Sequence, residues 1–231
     1  MRKVIFAEGQ VYHIYNRGTD KREIFPDDYD RYRFVQDLQY MNSPEPVLNS
    51  GYSFIRNCPV YIDSDHFAPP CKHDTGNTKL VDILAFALMP NHYHLLLMQR
   101  LAGGIASFMQ KLGTAYAMYF NKRYQRTGVL FEGPFKAVMI KEENHFEGIP
   151  FYIHANPLKL GPLLPSVELK MEFLRKYKWS SFQDYAGIPN FPSIISKPFL
   201  EELFARDGGF YTSMSKWLEN RKKPPIEARP R

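Results

Sequence analysis

The chain has 231 residues, 44% hydrophobic and 23% charged, which is enough apolar material for a buried core beneath an ordinary soluble surface. No run approaches the roughly 18 apolar residues that span a bilayer, and the opening MRKVIFAEGQ has a basic start but no apolar segment or small-residue cleavage site, so a cytoplasmic setting is expected. Two cysteines, Cys58 and Cys71, exclude a disulfide framework, and a net charge of +6 suits an anionic partner, most commonly nucleic acid.

Val11 to Arg17 (VYHIYNR) alternates and is rich in aromatic and β-branched residues, which predicts a strand. A turn over Gly18 to Pro26 leads to a helix capped by Asp27 or Asp28 and running to about Met41, with Phe34, Val35, Leu38 and Met41 as its buried stripe. Residues 43 to 79 hold SPEP, NSG, APP and DTGN without periodicity, an insertion of mostly loop with a short strand around Tyr52 to Ile55. Cys58, Cys71, His66 and His73 all lie in it, at spacings that match no familiar zinc pattern.

Leu80 to Met89 is continuously apolar, as in a central strand, and Pro90-Asn91 turns the chain into a second strand from His92 to Met98. After Gly103-Gly104, the residues Ile105, Phe108, Met109, Leu112, Ala115, Tyr116, Tyr119 and Phe120 recur every three or four positions, the clearest helix in the chain. Gly128 to Gly133 turns, Phe135 to Lys141 reads as a strand, and a helical segment follows from about Asn144 to Asn156. From Gly161 there is a helical stretch, Val167 to Lys176, then KWSSFQDY and a basic tail. Up to Lys141 the order is that of split β-α-β units. The expected fold class is α+β: a ferredoxin-like domain over 1–160, with an antiparallel sheet and helices on one face, and a helical, basic C-terminal extension over 161–231.

Two features carry chemistry. In Pro90-Asn91-His92-Tyr93-His94, side chains two apart on a strand share a face, about 7 Å apart at their origins. His92 and His94 therefore form a ligand pair for a divalent ion, while Tyr93 turns to the core. Sixty positions on, in Phe151-Tyr152-Ile153-His154-Ala155-Asn156-Pro157, Tyr152 and Asn156 stand four apart on one helical face. Asn156 offers a carbonyl oxygen as a third ligand, and Tyr152 a hydroxyl beside the same ion. Basic residues interleaved with aromatics, Lys122-Arg123-Tyr124-Gln125-Arg126 above all, suit unpaired bases and phosphates. Two other readings use the same residues: a DNA-binding module that no longer cuts, and a small-molecule metal hydrolase that adds a carboxylate such as Glu142 or Glu143.

Taken together, VYHIYNRGTDKREIF, ALMPNHYHLLL, SFMQKLGTAYAMYFNKRYQRTGVLFEGPFK, YIHANPLKLG and KWSSFQDYAG resemble the single-tyrosine transposases of the HUH superfamily, in particular their REP-associated branch. The likeness spans roughly 11 to 40 and 80 to 187. It implies a ferredoxin-like fold and a single-stranded DNA partner that forms hairpins. It also implies magnesium or manganese as cofactor, a 5′-phosphotyrosine intermediate, and an assembly that can be a homodimer. By position, Tyr152 matches the nucleophile, and His92, His94 and Asn156 match the metal ligands. Arg17, Lys111, Lys122, Arg123, Arg126 and Lys136 match regions expected near DNA, and His154 is not implied as a ligand. Three departures stand out. The 43–79 insertion is longer than expected, Pro134 replaces a basic residue in GxFK, and Pro150 predicts a regular helix from only about Ile149 to Asn156.

Overall fold

The computed structural model describes residues 4–46, 78–141 and 143–220. Strand β1 (Val11–Arg17) leads through helix α1 (Asp28–Tyr40) and the insertion to β2 (Val81–Met89) and β3 (His92–Gln99). Helix α2 (Gly104–Arg123) and strand β4 (Lys136–Met139) complete the unit. The sheet runs β2-β3-β1-β4 with every neighbour antiparallel. That order places β3 between the parallel strands of one split unit and β1 between those of the other, the expected ferredoxin-like arrangement. Asp27 caps α1 reciprocally with Asp30, and Phe34, Val35, Leu38 and Met41 are fully buried. The eight periodic residues of α2 are buried as well. The readings of Cys58, His66, Cys71, His73 and a strand at Tyr52 to Ile55 lie outside the described residues.

Helices α1 and α2 cover one face of the sheet, where Phe34 packs on Tyr93 with ring centroids 4.9 Å apart. After β4 come α3 (Glu143–Ala155), a 3-10 turn (Asn156–Lys159), α4 (Val167–Lys176), α5 (Phe182–Tyr185), α6 (Pro198–Phe204) and α7 (Phe210–Glu219). Helix α3 packs against β2 and β3 from the opposite side, so the helices that follow the ferredoxin-like unit add a second layer. Residues on both sides of position 160 join one hydrophobic core.

Beyond the sheet, the segment 177–196 docks on the outer edge of β2. Leu88 N–H donates to Trp179 O (2.8 Å), Ser181 N–H to Phe86 O (3.1 Å) and Ser196 N–H to Ile83 O (2.9 Å). The Tyr177 and Tyr185 hydroxyls donate to the carbonyls of Leu88 and Leu84, each at 2.6 Å. An edge that would otherwise expose unpaired backbone groups is thereby satisfied, and all nine residues of β2 are buried.

Two boundaries differ from the sequence reading. Strand β4 is four residues long rather than Phe135 to Lys141, because it pairs on one side only, with Tyr12 to Tyr15. Helix α3 begins at Glu143, beside the start read at Asn144, and Pro150 does not shorten its regular part to Ile149 but lies inside it. Proline there forfeits one backbone bond and crowds the preceding turn, at about 3 kcal/mol. Burial of Ile149, Phe151, Tyr152 and Ile153 offsets that cost, about 1.5–3 kcal/mol for each large apolar side chain.

Between α1 and α2 the fully buried Asp30 carboxylate accepts from Tyr119 Oη (2.8 Å), Arg123 Nη1 (2.7 Å) and Tyr124 Oη (2.7 Å). Removing the acceptor strands the buried Tyr119 hydroxyl and breaks two further charge-assisted bonds. Asp30→Ala is expected to cost about 2–4 kcal/mol, read as a fall in the urea-unfolding midpoint. Glu172→Ala, which opens only a surface pair with Lys176, leaves the midpoint in place.

Candidate active site

The pairing of β1 with β3 sets Arg17 opposite His92, Tyr15 opposite His94 and His13 opposite Leu96. The pairing of β1 with β4 adds Lys136 opposite Tyr15. Residues directly opposite in an antiparallel pair share a face, so His13, Tyr15, Arg17, His92, His94 and Lys136 all lie on the side away from α1 and α2. Tyr93 faces the other way and is buried, as expected.

Onto this polar face α3 brings Tyr152, whose ring centroid lies 5.8 Å from that of His94 and 6.1 Å from that of His13. The His92 and His94 rings are 5.1 Å apart and nearly perpendicular. Asn156 follows one turn after Tyr152 and closes the helix end, its Nδ2 donating to Tyr152 O at 2.8 Å. Its Oδ1 accepts from Lys159 Nζ at 2.7 Å, and that ammonium lies 5.5 Å from the Tyr152 ring centroid. Four residues drawn from a strand and a distant helix end therefore converge, with Lys159 beside them.

Burial is the main influence on the histidines. It pushes His92 down to about 4, helped by the positive charges of Lys159 and Arg17. It holds His94 well below the ordinary value, with smaller contributions from His13, His92 and Lys159. Both are neutral imidazoles at pH 7 and carry a lone pair. His92 Nδ1 lies 2.6 Å from Asn91 Oδ1; an amide oxygen only accepts, so Nδ1 carries the proton and Nε2 is bare. His94 Nε2 is buried and has no hydrogen-bond partner. The bare Nε2 of His92, the unpartnered Nε2 of His94 and an amide oxygen are a donor set of the kind that fits a divalent ion. Among the described residues, no group of three or more His, Cys, Asp or Glu is placed to hold a metal. The side chains of Glu142 and Glu143 lie outside the described residues.

The basic residues separate into two sets. Arg17 and Lys136 flank the site: Arg17 pairs with Glu132 at 2.8 Å, and Lys136 Nζ lies 5.9 Å from the Tyr15 ring. Lys111, Lys122, Arg123 and Arg126 lie on or just after α2, in the opposite layer. Lys111 Nζ is tied to the Ser43 and Glu45 carbonyls (2.6 and 2.7 Å). Arg123 is neutralised by Asp27 and Asp30 (2.6 and 2.7 Å), and Arg126 donates to Asn121 Oδ1 at 2.9 Å. His154 bonds Ser181 Oγ at 2.7 Å in the core and is structural. Sequence reading does not single out His13 or Lys159 for the site. Strand alternation through Tyr15 and Arg17 points to the first, and its position one turn after Asn156 points to the second.

Buried neutral histidines make folding sensitive to acid. Burial pushes His13 and His154 each down to about 3, whereas the unfolded chain takes up these protons below about 6.5. Their stabilisation is fully present above that value and is lost as pH falls toward 3, with about 2 kcal/mol gone per histidine by pH 5. Asp37, its buried carboxyl pushed up to about 6, works in the opposite sense and offsets part of the loss. The urea midpoint should be flat above pH 7 and decline from about pH 6.5 downward; a constant midpoint from pH 7.5 to 5 would contradict the placement of these rings.

Residues 70–156 match the family model described as "Transposase IS200 like". Among solved structures, the fold is similar to that of a REP-associated tyrosine transposase bound to a REP hairpin, at 12% identity and a TM-score of 0.48, over 83% of this chain and 88% of that one. No curated protein matches the sequence. The matched segment contains His92, His94, Tyr152 and Asn156.

Proposed function

We propose that this protein cuts and rejoins single-stranded DNA next to hairpins, with Tyr152 as the nucleophile. The carrying observation is the convergence of Tyr152 and Asn156 with His92 and His94 on one sheet face, in the segment that matches IS200-like transposases. The hairpin preference follows from the resemblance of the motifs. All four residues come from one chain, so the reading requires no second copy.

The Tyr152 phenolic oxygen forms a bond to the scissile phosphorus, and the bond from phosphorus to the 3′ oxygen breaks. The products are a 5′-phosphotyrosine and a free 3′-hydroxyl, which takes up the proton released from the phenol. A phenol is a weak nucleophile at neutral pH, and positive charge beside it favours the phenolate; Lys159 supplies that charge and also attracts the phosphate. His92, His94 and Asn156 would hold magnesium or manganese, which when bound supplies Lewis-acid polarisation of the phosphate. Tyr152 is 3% exposed, so α3 or the side chains over it must shift to admit a strand. Once the site has closed again, the covalent link is shielded from water, and a 3′-hydroxyl can reverse the step without ATP.

Wild-type protein incubated with a 5′-labelled or 3′-labelled hairpin oligonucleotide and manganese is expected to give an adduct stable in SDS with the 3′ fragment only. Tyr152→Phe should abolish the adduct while hairpin binding in a gel shift stays within about threefold. EDTA should stop cleavage, and magnesium or manganese should restore it. Binding by the wild type without any cleavage under manganese would favour a hairpin-binding protein that has lost the reaction.

A further inference from the structure

His13 is fully buried on the site face and takes no part in the chemistry proposed above. Its Nε2 lies 2.9 Å from His94 Nδ1, and the two rings lie 20° from parallel with centroids 5.1 Å apart. The outer nitrogens, His13 Nδ1 and His94 Nε2, are both buried without a hydrogen-bond partner. A short contact between two neutral imidazoles holds one proton, which leaves only two arrangements. Either His94 Nδ1–H donates to His13 Nε2, His94 Nε2 is bare and His13 carries its proton on Nδ1, or every one of these assignments is reversed. The surroundings break the tie. Lys159, bound to Asn156 Oδ1, places a positive charge near the His94 end, where a lone pair is favoured over an N–H.

We infer that His13 is a positioning residue that fixes the proton of His94 on Nδ1 and so leaves Nε2 bare for a divalent cation. This rests on the reading of His92, His94 and Asn156 as metal ligands. A metal-binding imidazole usually donates its second N–H to a carboxylate, carbonyl or water, which sets its orientation and basicity. Here the acceptor is another imidazole, delivered from the neighbouring strand by the Tyr15–His94 register. A neutral acceptor adds no negative charge to a site that must take an anionic phosphate.

Two measurements test it. In the metal-free wild type, two-bond proton–nitrogen NMR correlations should show His94 protonated on Nδ1 and bare at Nε2, with His13 protonated on Nδ1; the opposite tautomer pair overturns the inference whatever the metal does. Manganese titration followed by electron paramagnetic resonance should then show a Kd raised roughly 10- to 100-fold in His13→Phe, which keeps a ring but no acceptor. His13→Gln, whose amide oxygen reaches the place of Nε2, should restore affinity to within about threefold of wild type. Unchanged affinity in His13→Phe, with the wild type binding manganese, removes His13 alone from the scheme. Failure of the wild type itself to bind manganese removes the ligand reading and this inference with it. Loss of affinity in both variants at an unchanged urea midpoint would also count against the acceptor role.

Discussion

Antiparallel pairing of β1 with β3 sets Tyr15 opposite His94 and Arg17 opposite His92, and the polar face is defined by that register. Strand side chains alternate, so a slip of one residue would send the histidines into the layer under α1 and α2 and turn Tyr93 outward. The slip is opposed by Tyr93, Leu95 and Leu97 on β3 and by Tyr12 and Ile14 on β1, all at most 2% exposed on the α1/α2 side. The apolar face thus holds the polar one in place. Chemistry on one side of the sheet depends on packing on the other.

A sheet face alone does not position Tyr152, and here the C-terminal extension contributes. Tyr152 sits between Phe151, whose ring packs 4.7 Å from Phe204 and 5.1 Å from Phe210, and Ile153-His154, of which His154 bonds Ser181. Ser181 in turn is fixed to β2, its Oγ accepting from Phe86 N–H at 2.9 Å. Helix α3 is therefore clamped between the sheet and residues that are themselves bound to the sheet edge. The Pro150 irregularity is tolerated inside that clamp, because contacts on the flanking residues hold the turn that proline weakens.

Much of this was legible in the chain. His92 and His94 share a face because strand alternation requires it, and Tyr152 and Asn156 share one because helix periodicity requires it. The element order announced the split units, and the apolar run over β2 announced a covered strand. Other features depend on contacts between distant segments. That His13 reaches His94 follows from which strands pair, a choice made by the whole sheet. The basic cluster at Lys122 to Arg126 reads as an anion-binding surface by composition, yet Arg123 is matched by Asp27 and Asp30, about ninety positions earlier. The helix over 144–156 is legible in the sequence, but its passage through Pro150 is not, because proline's local cost is visible in sequence and the burial that offsets it is not.

The charge of the site bears on the chemistry proposed for it. Around the two imidazoles stand the cations Lys159 and Arg17, whose influence reaches His92. Cations near a ligand pair have two compatible effects. They add to the burial that keeps the imidazoles unprotonated, and in the reaction proposed above they would draw a phosphodiester toward Tyr152. An arrangement that favours both at once suits a reaction on an anionic backbone.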